Sequence, residues 1–400
     1  MPFLTRLRAL PAGVWALGFG SLFMDASSEL VHSLLPIFMA SVLGASMVTI
    51  GFVEGVAEAA ASITKIFSGV LSDRLGRRKF LVVFGYALGA ATKPVFPLAT
   101  SVAWVFGARF VDRIGKGIRG APRDALIADT TPPALRGAAY GLRQSLDSVG
   151  AFIGPLLAVV LMGWLASDIR AVLWVAVLPA FAAVVLFVVA IREPPRAHRD
   201  PGSPARMTTA DLAQLPWRYW LIVLVGAVLT LARFSDAFLV LRAQDVGLAT
   251  RYVPIVMIVM NVVYAGVALP AGMAADHFTH RTPMMAGLIS LVAADLVLAL
   301  ATLPWHVLAG TALWGLHMGL TQGLLSKLVA DSAPARLRGT AFGIFNIVSG
   351  GALLAASVMA GALWSVFGPF ATFVAGAAFA TAALISLSVY RWEYQPATSR

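Results

Sequence analysis

The sequence predicts an all-α membrane protein with twelve transmembrane helices in two pseudo-symmetric six-helix bundles. Three observations predict it. Hydrophobic residues make up 59% of the chain and charged residues 12%, whereas a soluble domain carries about 25% charged residues. Charge this scarce cannot cover a 400-residue globule, so most of the surface must meet lipid. Apolar runs long enough to cross a bilayer recur along the whole chain. The second half repeats landmarks of the first.

About 20 apolar residues cross the hydrocarbon core as a helix, at about 1.5 Å per residue. The first run, 13–40, follows a basic start, "MPFLTRLRAL". It stays apolar to about residue 44, too long for the apolar part of a cleaved signal. Then come 46–71, 80–99, 102–122, 137–164 and 169–191, completing six spans. A further six follow at 217–241, 251–274, 282–302, 305–329, 339–364 and 369–391. Gly and Pro recur inside them, as membrane helices tolerate.

The loops alternate in charge. "RLGRRK" (74–79), "REPPRAHRD" (192–200), Arg281 and "RLR" (336–338) are basic. "SVLGAS", "ATS" and "SVFGP" carry no Lys or Arg. The positive-inside rule assigns the basic set to the cytoplasm. Both termini then face the cytoplasm, as an even number of spans requires. The Pro- and Arg-rich stretch 192–216 reads as a cytoplasmic linker between an N-terminal bundle, 1–191, and a C-terminal bundle, 217–400.

The same composition excludes other classes. Without cysteine there is neither a disulfide framework nor a thiolate metal site. The net charge of +11 sits in short gaps between apolar runs, not on a polar domain, which argues against nucleic acid. "GKG" (115–117) lacks Walker spacing and a preceding strand. No nucleophile–base pair or metal-ligand cluster stands out, so neither an enzyme nor a cofactor or metal is expected.

The repeat is explicit. "ALIADTTPPALRGAAYG" (125–141) aligns with "KLVADSAPARLRGTAFG" (327–343), Asp129 with Asp331 and Arg136 with Arg338. "GVLSDRLGRRK" (69–79) aligns with "GMAADHFTHRT" (272–282), and "FMDAS" (23–27) with "FSDAF" (234–238). Two repeated halves of six spans point to a transporter with its site between the bundles.

"GVLSDRLGRRK" resembles the signature of the major facilitator superfamily between the second and third spans. The match covers Gly69, Asp73, Arg74, Gly76, Arg77 and Arg78, and the second copy keeps Gly272, Asp276 and Arg281. The resemblance implies that this loop gates the transport cycle. In physical terms, Gly69 lets two helices approach closely. Asp73 at a helix end can clasp a neighbouring helix N-terminus or an Arg. "GAFIGPLLA" (150–158) resembles the fifth-span motif of proton-coupled drug exporters through Gly150, Gly154 and Pro155, with Ala158 in place of the last glycine. "RFVDRIG" (109–115) resembles a fourth-span motif whose Arg, here Arg109, is associated with proton transfer; Arg113 replaces its first glycine.

In "DRIGKGIRGAPRDALIAD" (112–129) charge is concentrated on one helix. At 100° per residue, Arg109, Asp112, Arg113, Lys116, Arg119, Arg123 and Asp124 fall within an arc of about 140°. Such a face must look into protein or a water-filled cavity. Asp25, Glu29 and His32 share a face of the first span, and Glu54, Glu58 and Lys65 one of the second. Arg143 and Asp147 pair in the fifth, and Arg233 and Asp236 lie close together in the seventh. Carboxylates in a partly dry cavity suit proton loading and release. Asp25, Glu29, Glu54 and Glu58 are therefore the proton-coupling candidates, with Asp25 first. Arg109, Asp112, Arg113, Arg143, Asp147, Arg233 and Asp236 are the substrate or cavity candidates. Unpaired Arg109 or Arg113 favours an anionic or zwitterionic amphiphile.

The reading is a bacterial inner-membrane, monomeric, proton-coupled exporter of a small organic solute. Its partners are the substrate, protons and the bilayer. The alternatives are an importer of a carboxylate or phosphate ester, and a non-transporting sensor on the same fold.

Overall fold

The computed structural model describes residues 9–75, 77–132, 135–191, 193, 214–277, 281–334 and 337–389. They form helices and connecting turns, with no strand among the described residues. Span 1 is Ala12–Ile37, extended by a wide helical turn at Phe38–Val42. Span 2 is Met47–Leu75, and span 3 is Arg78–Thr92 continued by Val95–Leu98. Spans 4 and 5 are Val102–Thr130 and Arg136–Trp164. Span 6 joins Ile169–Val175 to Val177–Ala190, and Asp168 caps its start by accepting from the backbone N–H of Arg170 and Ala171.

Span 7 is discontinuous: Trp217–Ala232 and Ala237–Asp245 flank a non-helical break at 233–236. Spans 8, 9 and 10 are Ile255–His277, Arg281–Ala299 and Pro304–Ser332. Spans 11 and 12 share the stretch Arg338–Val389, broken where Gly368 takes φ 81° before Pro369. Positive φ is open to glycine at little cost, and proline cannot continue the preceding helix.

Eight described stretches are apolar and long enough to cross a membrane; the last, Thr340–Ser388, holds spans 11 and 12. Spans 1, 4 and 10 fall outside that set. Span 4 carries the charged face, span 1 carries Asp25, Glu29 and His32, and span 10 carries His306 and His317. Span 4 is also longer than the sequence predicts. It has 29 residues and stays helical through Pro122, about 44 Å at the helical rise. The charged stretch 112–129 is thus a continuation of the span, not a loop.

Only residues 193 and 214–216 of the expected linker are described; the rest of 192–216 lies outside the described residues. Glu193 caps span 3, accepting from the backbone N–H of Arg78 at 2.7 Å and Lys79 at 3.0 Å. Lys79 Nζ donates to the Val188 carbonyl at 2.9 Å. The basic loop and the end of span 6 are therefore fastened together.

Glycines set how closely the spans approach. Gly150 and Gly154 press span 5 onto span 1: a Cβ on either would lie 2.6 Å from a carbonyl oxygen, of Leu22 or Ala26. Gly85 and Gly115 do the same between spans 3 and 4. Between the halves, span 2 lies along span 11. A Cβ on Gly51 would lie 2.1 Å from the Ser357 carbonyl oxygen, and one on Gly361 would lie 2.3 Å from that of Met47.

The apolar cores are unequal at the two ends. At the end whose loops lack Lys and Arg, Leu30, Leu34, Phe38, Ile50, Val53 and Met162 pack into one core with C-terminal residues such as Phe238 and Ala356. Toward the basic end, Val14, Met24, Tyr86, Leu126, Ala139 and Phe187 form a separate core drawn from the N-terminal half alone. The N-terminal half thus keeps a separate core toward the basic end, whereas the C-terminal core is continuous with the one at the neutral end, and spans 2 and 11 stay in contact as far as Ile66 and Gly343.

Gly51→Ala should overpack the span 2–span 11 contact, at about 1–3 kcal/mol. With no native cysteine, a single Ile50→Cys probe reads the outcome: maleimide should label this buried site faster in the Gly51→Ala background. An unchanged rate would show that this contact does not hold the neutral end shut.

Candidate functional site

A charged side chain on a membrane helix must find partners inside the protein. Span 4 follows this rule closely: Arg109, Asp112, Arg113, Arg119 and Arg123 are all buried. Arg109 donates to Glu54 of span 2 at 2.7 Å, with both side chains essentially without exposure. His32 of span 1 stands 3.7 Å from Glu54 and 3.6 Å from Glu29. Arg113 lies 3.2 Å from Glu58 of span 2. Asp112 accepts from Lys93 of span 3 at 2.9 Å, and Lys93 also reaches Ser28 of span 1 at 3.1 Å.

Toward the basic end the ladder continues. The guanidinium of Arg119 lies over the Tyr86 ring, 4.4 Å from its centre. Arg123 donates to Ser21 at 2.9 Å and to the Tyr86 hydroxyl at 3.0 Å, and stands 3.9 Å from Asp147. Arg143 pairs with Asp147 at 2.5 Å, as their spacing predicts.

One expectation changes. Arg109 and Arg113 are not free cations, because Glu54 and Glu58 face them across the span 2–span 4 contact. Asp112 is likewise paired, with Lys93, because its side chain points toward span 3. Lys93, Tyr86 and Ser21 did not stand out in the sequence. For Lys93 a signal existed: a lone Lys within an apolar span beside Pro94.

Among the described residues, those with no oppositely charged group within 4 Å include Asp25, Lys116 and Arg119 in the N-terminal half and Arg233, Asp236 and Asp295 in the C-terminal half. Asp25 sits at the middle of span 1, partly exposed, within electrostatic reach of Asp147, Arg119, Lys116 and Arg123. Gly150 and Gly154 lie directly behind Asp25 and Glu29: their added Cβ atoms would stand 3.1 Å and 2.8 Å from the Cβ atoms of those residues. Lys116 is exposed and in reach of Glu58, Glu29 and Asp25. Arg233 and Asp236 occupy the break in span 7, where Asp236 feels the charges of His32, Glu58 and Glu29 from the other half. The polar face of the N-terminal half and the span 7 break therefore look at each other.

The signature loop is partly described. Arg78 pairs with Asp129 and donates to the Ala125 carbonyl at 3.0 Å, tying the loop to the end of span 4. Arg77 is exposed. Among the described residues, a Cβ on Gly69 would meet Ala121 alone, at an ordinary 3.6 Å. The close approach of spans 2 and 4 falls instead at Gly117, where a Cβ would lie 2.9 Å from the Ala61 carbonyl oxygen. Gly76 and the side chains of Asp73, Arg74, Asp276 and Arg281 lie outside the described residues, as does the surrounding of Gly272. An apolar cavity of about 390 Å³ at spans 3 and 4, lined by Leu88, Val95, Trp104 and Val111 among others, has none of these charges in its wall.

Residues 17–260 and 222–400 each match the Major Facilitator Superfamily. The chain is 30% identical to an MFS-type transporter of Methanocaldococcus jannaschii, covering 93% of both proteins. It is 26% identical to the class H tetracycline resistance protein of Pasteurella multocida, covering 70% of this chain and 71% of that one. A crystal structure of a variant of the nucleoside transporter NupG superposes with a TM-score of 0.81 at 12% identity, covering 94% of this chain and 98% of that one.

Breaking the Glu54–Arg109 pair from one side leaves a buried charge uncompensated, at about 3–5 kcal/mol. Glu54→Gln should therefore lower the thermal midpoint in detergent markedly. Glu54→Leu combined with Arg109→Leu should recover much of that loss. A double variant no better than the single one would mean that the pair is not the unit that matters.

Proposed function

The chain belongs to the major facilitator superfamily and is a multi-pass membrane transport protein, not an enzyme; from that footing we propose that it exports a small anionic or zwitterionic amphiphile in exchange for protons. The halves 1–191 and 217–400 rock about their contact, joined by the linker 192–216. The protein sits as a monomer in a bacterial inner membrane, with both termini and the basic loops on the cytoplasmic side.

One observation carries the coupling assignment. Glu29, Glu54, Glu58, Asp112 and Asp147 each have a cationic or histidine partner within 4 Å. Among the described acids of the first two spans, Asp25 alone has none. A carboxylate already neutralised by a fixed cation has little to gain from a proton, whereas one left open at mid-membrane depth does. The paired acids instead hold the cationic face of span 4 in place. Asp25 is thus the proton carrier, and Glu29, Glu54 and Glu58 support it.

Substrate recognition shifts with the pairing. Arg109 and Arg113 are engaged, so the anion-binding role passes to Lys116 and Arg233, one on each side of the interface. Asp236 beside Arg233 suits a substrate that also carries a positive group. In this arrangement the neutral end is shut. With the basic end cytoplasmic, the open face accepts solute from the cell and gives up the proton from Asp25 there. Outward transport is favoured by the fifth-span motif and by a relative named for tetracycline resistance.

In proteoliposomes with a pH dye inside, a responding acidic or zwitterionic solute should trigger proton movement in the wild type and none in Asp25→Asn. Lys116→Ala should raise KM for acidic solutes while leaving kcat nearly unchanged, as loss of uniform binding does. Proton movement that persists in Asp25→Asn would remove the coupling assignment. Uptake of a supplied nutrient driven by an inward proton gradient would reverse the direction.

A further inference from the structure

The C-terminal half holds a buried acid that the preceding scheme does not use. Asp295 of span 9 has no solvent exposure. Neither carboxylate oxygen has a hydrogen-bond partner. A place is made for it: a Cβ on Gly376 of span 12 would lie 2.7 Å from Asp295 Oδ2 and 3.1 Å from the ring of Phe234. Any side chain larger than glycine's there would displace the carboxyl or the ring. Two further buried polar atoms of the same core are also without partners, Thr311 Oγ1 and Trp314 Nε1 of span 10. Phe234 links these parts, with ring centres 5.4 Å from Trp314 and 5.5 Å from both Phe238 and Phe373.

Among the described residues, the nearby ionisable groups of spans 7 and 10 make their contacts elsewhere or stand unpaired in the span 7 break. On span 10, His317 turns its Nδ1 to the Gly287 carbonyl at 2.8 Å. On span 7, Arg242 donates to the carbonyls of Leu298 and Ala301 and pairs with Asp245. Arg233 and Asp236 stand in the same break as Phe234, and neither is paired with Asp295 within 4 Å. Residues 340–388 of spans 11 and 12 contain no Asp, Glu, Lys, Arg or His. Among the described residues no cation comes within 4 Å of Asp295. A bare carboxylate cannot be held in such a core without a donor or counter-charge.

We propose that Asp295 is a proton-binding site of the C-terminal bundle, filled in this conformation and emptied when the break in span 7 moves Phe234 aside. On emptying, the carboxyl O–H bond breaks and the proton passes to water reaching the break beside Asp236. On filling, the reverse occurs and the neutral acid is sealed in again. The inference shares only proton coupling with the function proposed above and does not require Asp25 to be a carrier.

The test is infrared difference spectroscopy of the full chain in vesicles, stepping the bath pH in H2O and in D2O. The proton itself is the probe, so no substrate is needed. We expect a carboxylic-acid C=O band that disappears reversibly as pH rises and shifts in D2O. It should be lost in Asp295→Asn, displaced in Asp295→Glu and kept in Asp25→Asn. Phe234→Ala should make the band respond faster to a pH step. A band kept at every pH, or a pH-dependent band unaffected by either Asp295 variant, would overturn the proposal. Retention of the band in Asp25→Asn alongside unchanged proton flux in that variant would sink the Asp25 role while leaving this site standing.

Discussion

A charge inside a membrane protein must be met by another charge or by water, and much of this molecule follows from that constraint. The Glu54–Arg109 pair, 2.7 Å apart with both side chains buried, expresses it inside the bundle. It fixes span 2 against span 4 and thereby presents Arg113 to Glu58 and turns Asp112 to Lys93. Once those pairs are set, the same face of span 4 can carry only a few unsatisfied groups. Their positions, and not the total amount of charge, mark where a solute can act.

The two halves share a plan but divide the work. Landmark glycines and aspartates repeat between them, and each half supplies six spans. Yet the ion-pair ladder belongs to spans 1 to 5, whereas spans 11 and 12 carry no ionisable group over residues 340–388. The C-terminal half contributes a break in span 7, a cluster of aromatic rings and the fully buried Asp295.

Much of this was legible in the sequence because lipid leaves few choices. Apolar runs had to be helices, and the charged face of span 4 had to turn inward; both readings hold. The signature loop placed the chain in its superfamily. Partnership was less legible. Periodicity assigns residues to faces but does not say which face meets which, so nothing in it joins Asp112 to Lys93 of span 3. Lys93 was overlooked as one cation in an apolar run. Asp295 was overlooked for the same reason: in "AADLVLAL" nothing hints that Gly376 and Phe234 close around it. Gly69 shows the opposite error, since its motif position suggested a close approach that the helices make at Gly117.

The contact between spans 2 and 11 has a mechanical consequence. At Gly51, Gly55 and Gly361 backbone lies nearly on backbone, with no side chain interposed on the glycine side. Interlocked side chains act as cogs, and moving past them means changing rotamers one after another. A smooth seam has no cogs, so one half can tilt over the other as on a bearing, with little friction and no fixed stops. Where the motion ends must then be decided elsewhere, by the core at the neutral end and the fastened loop at the basic one. Damage to the seam would accordingly slow the cycle while leaving solute affinity as it was.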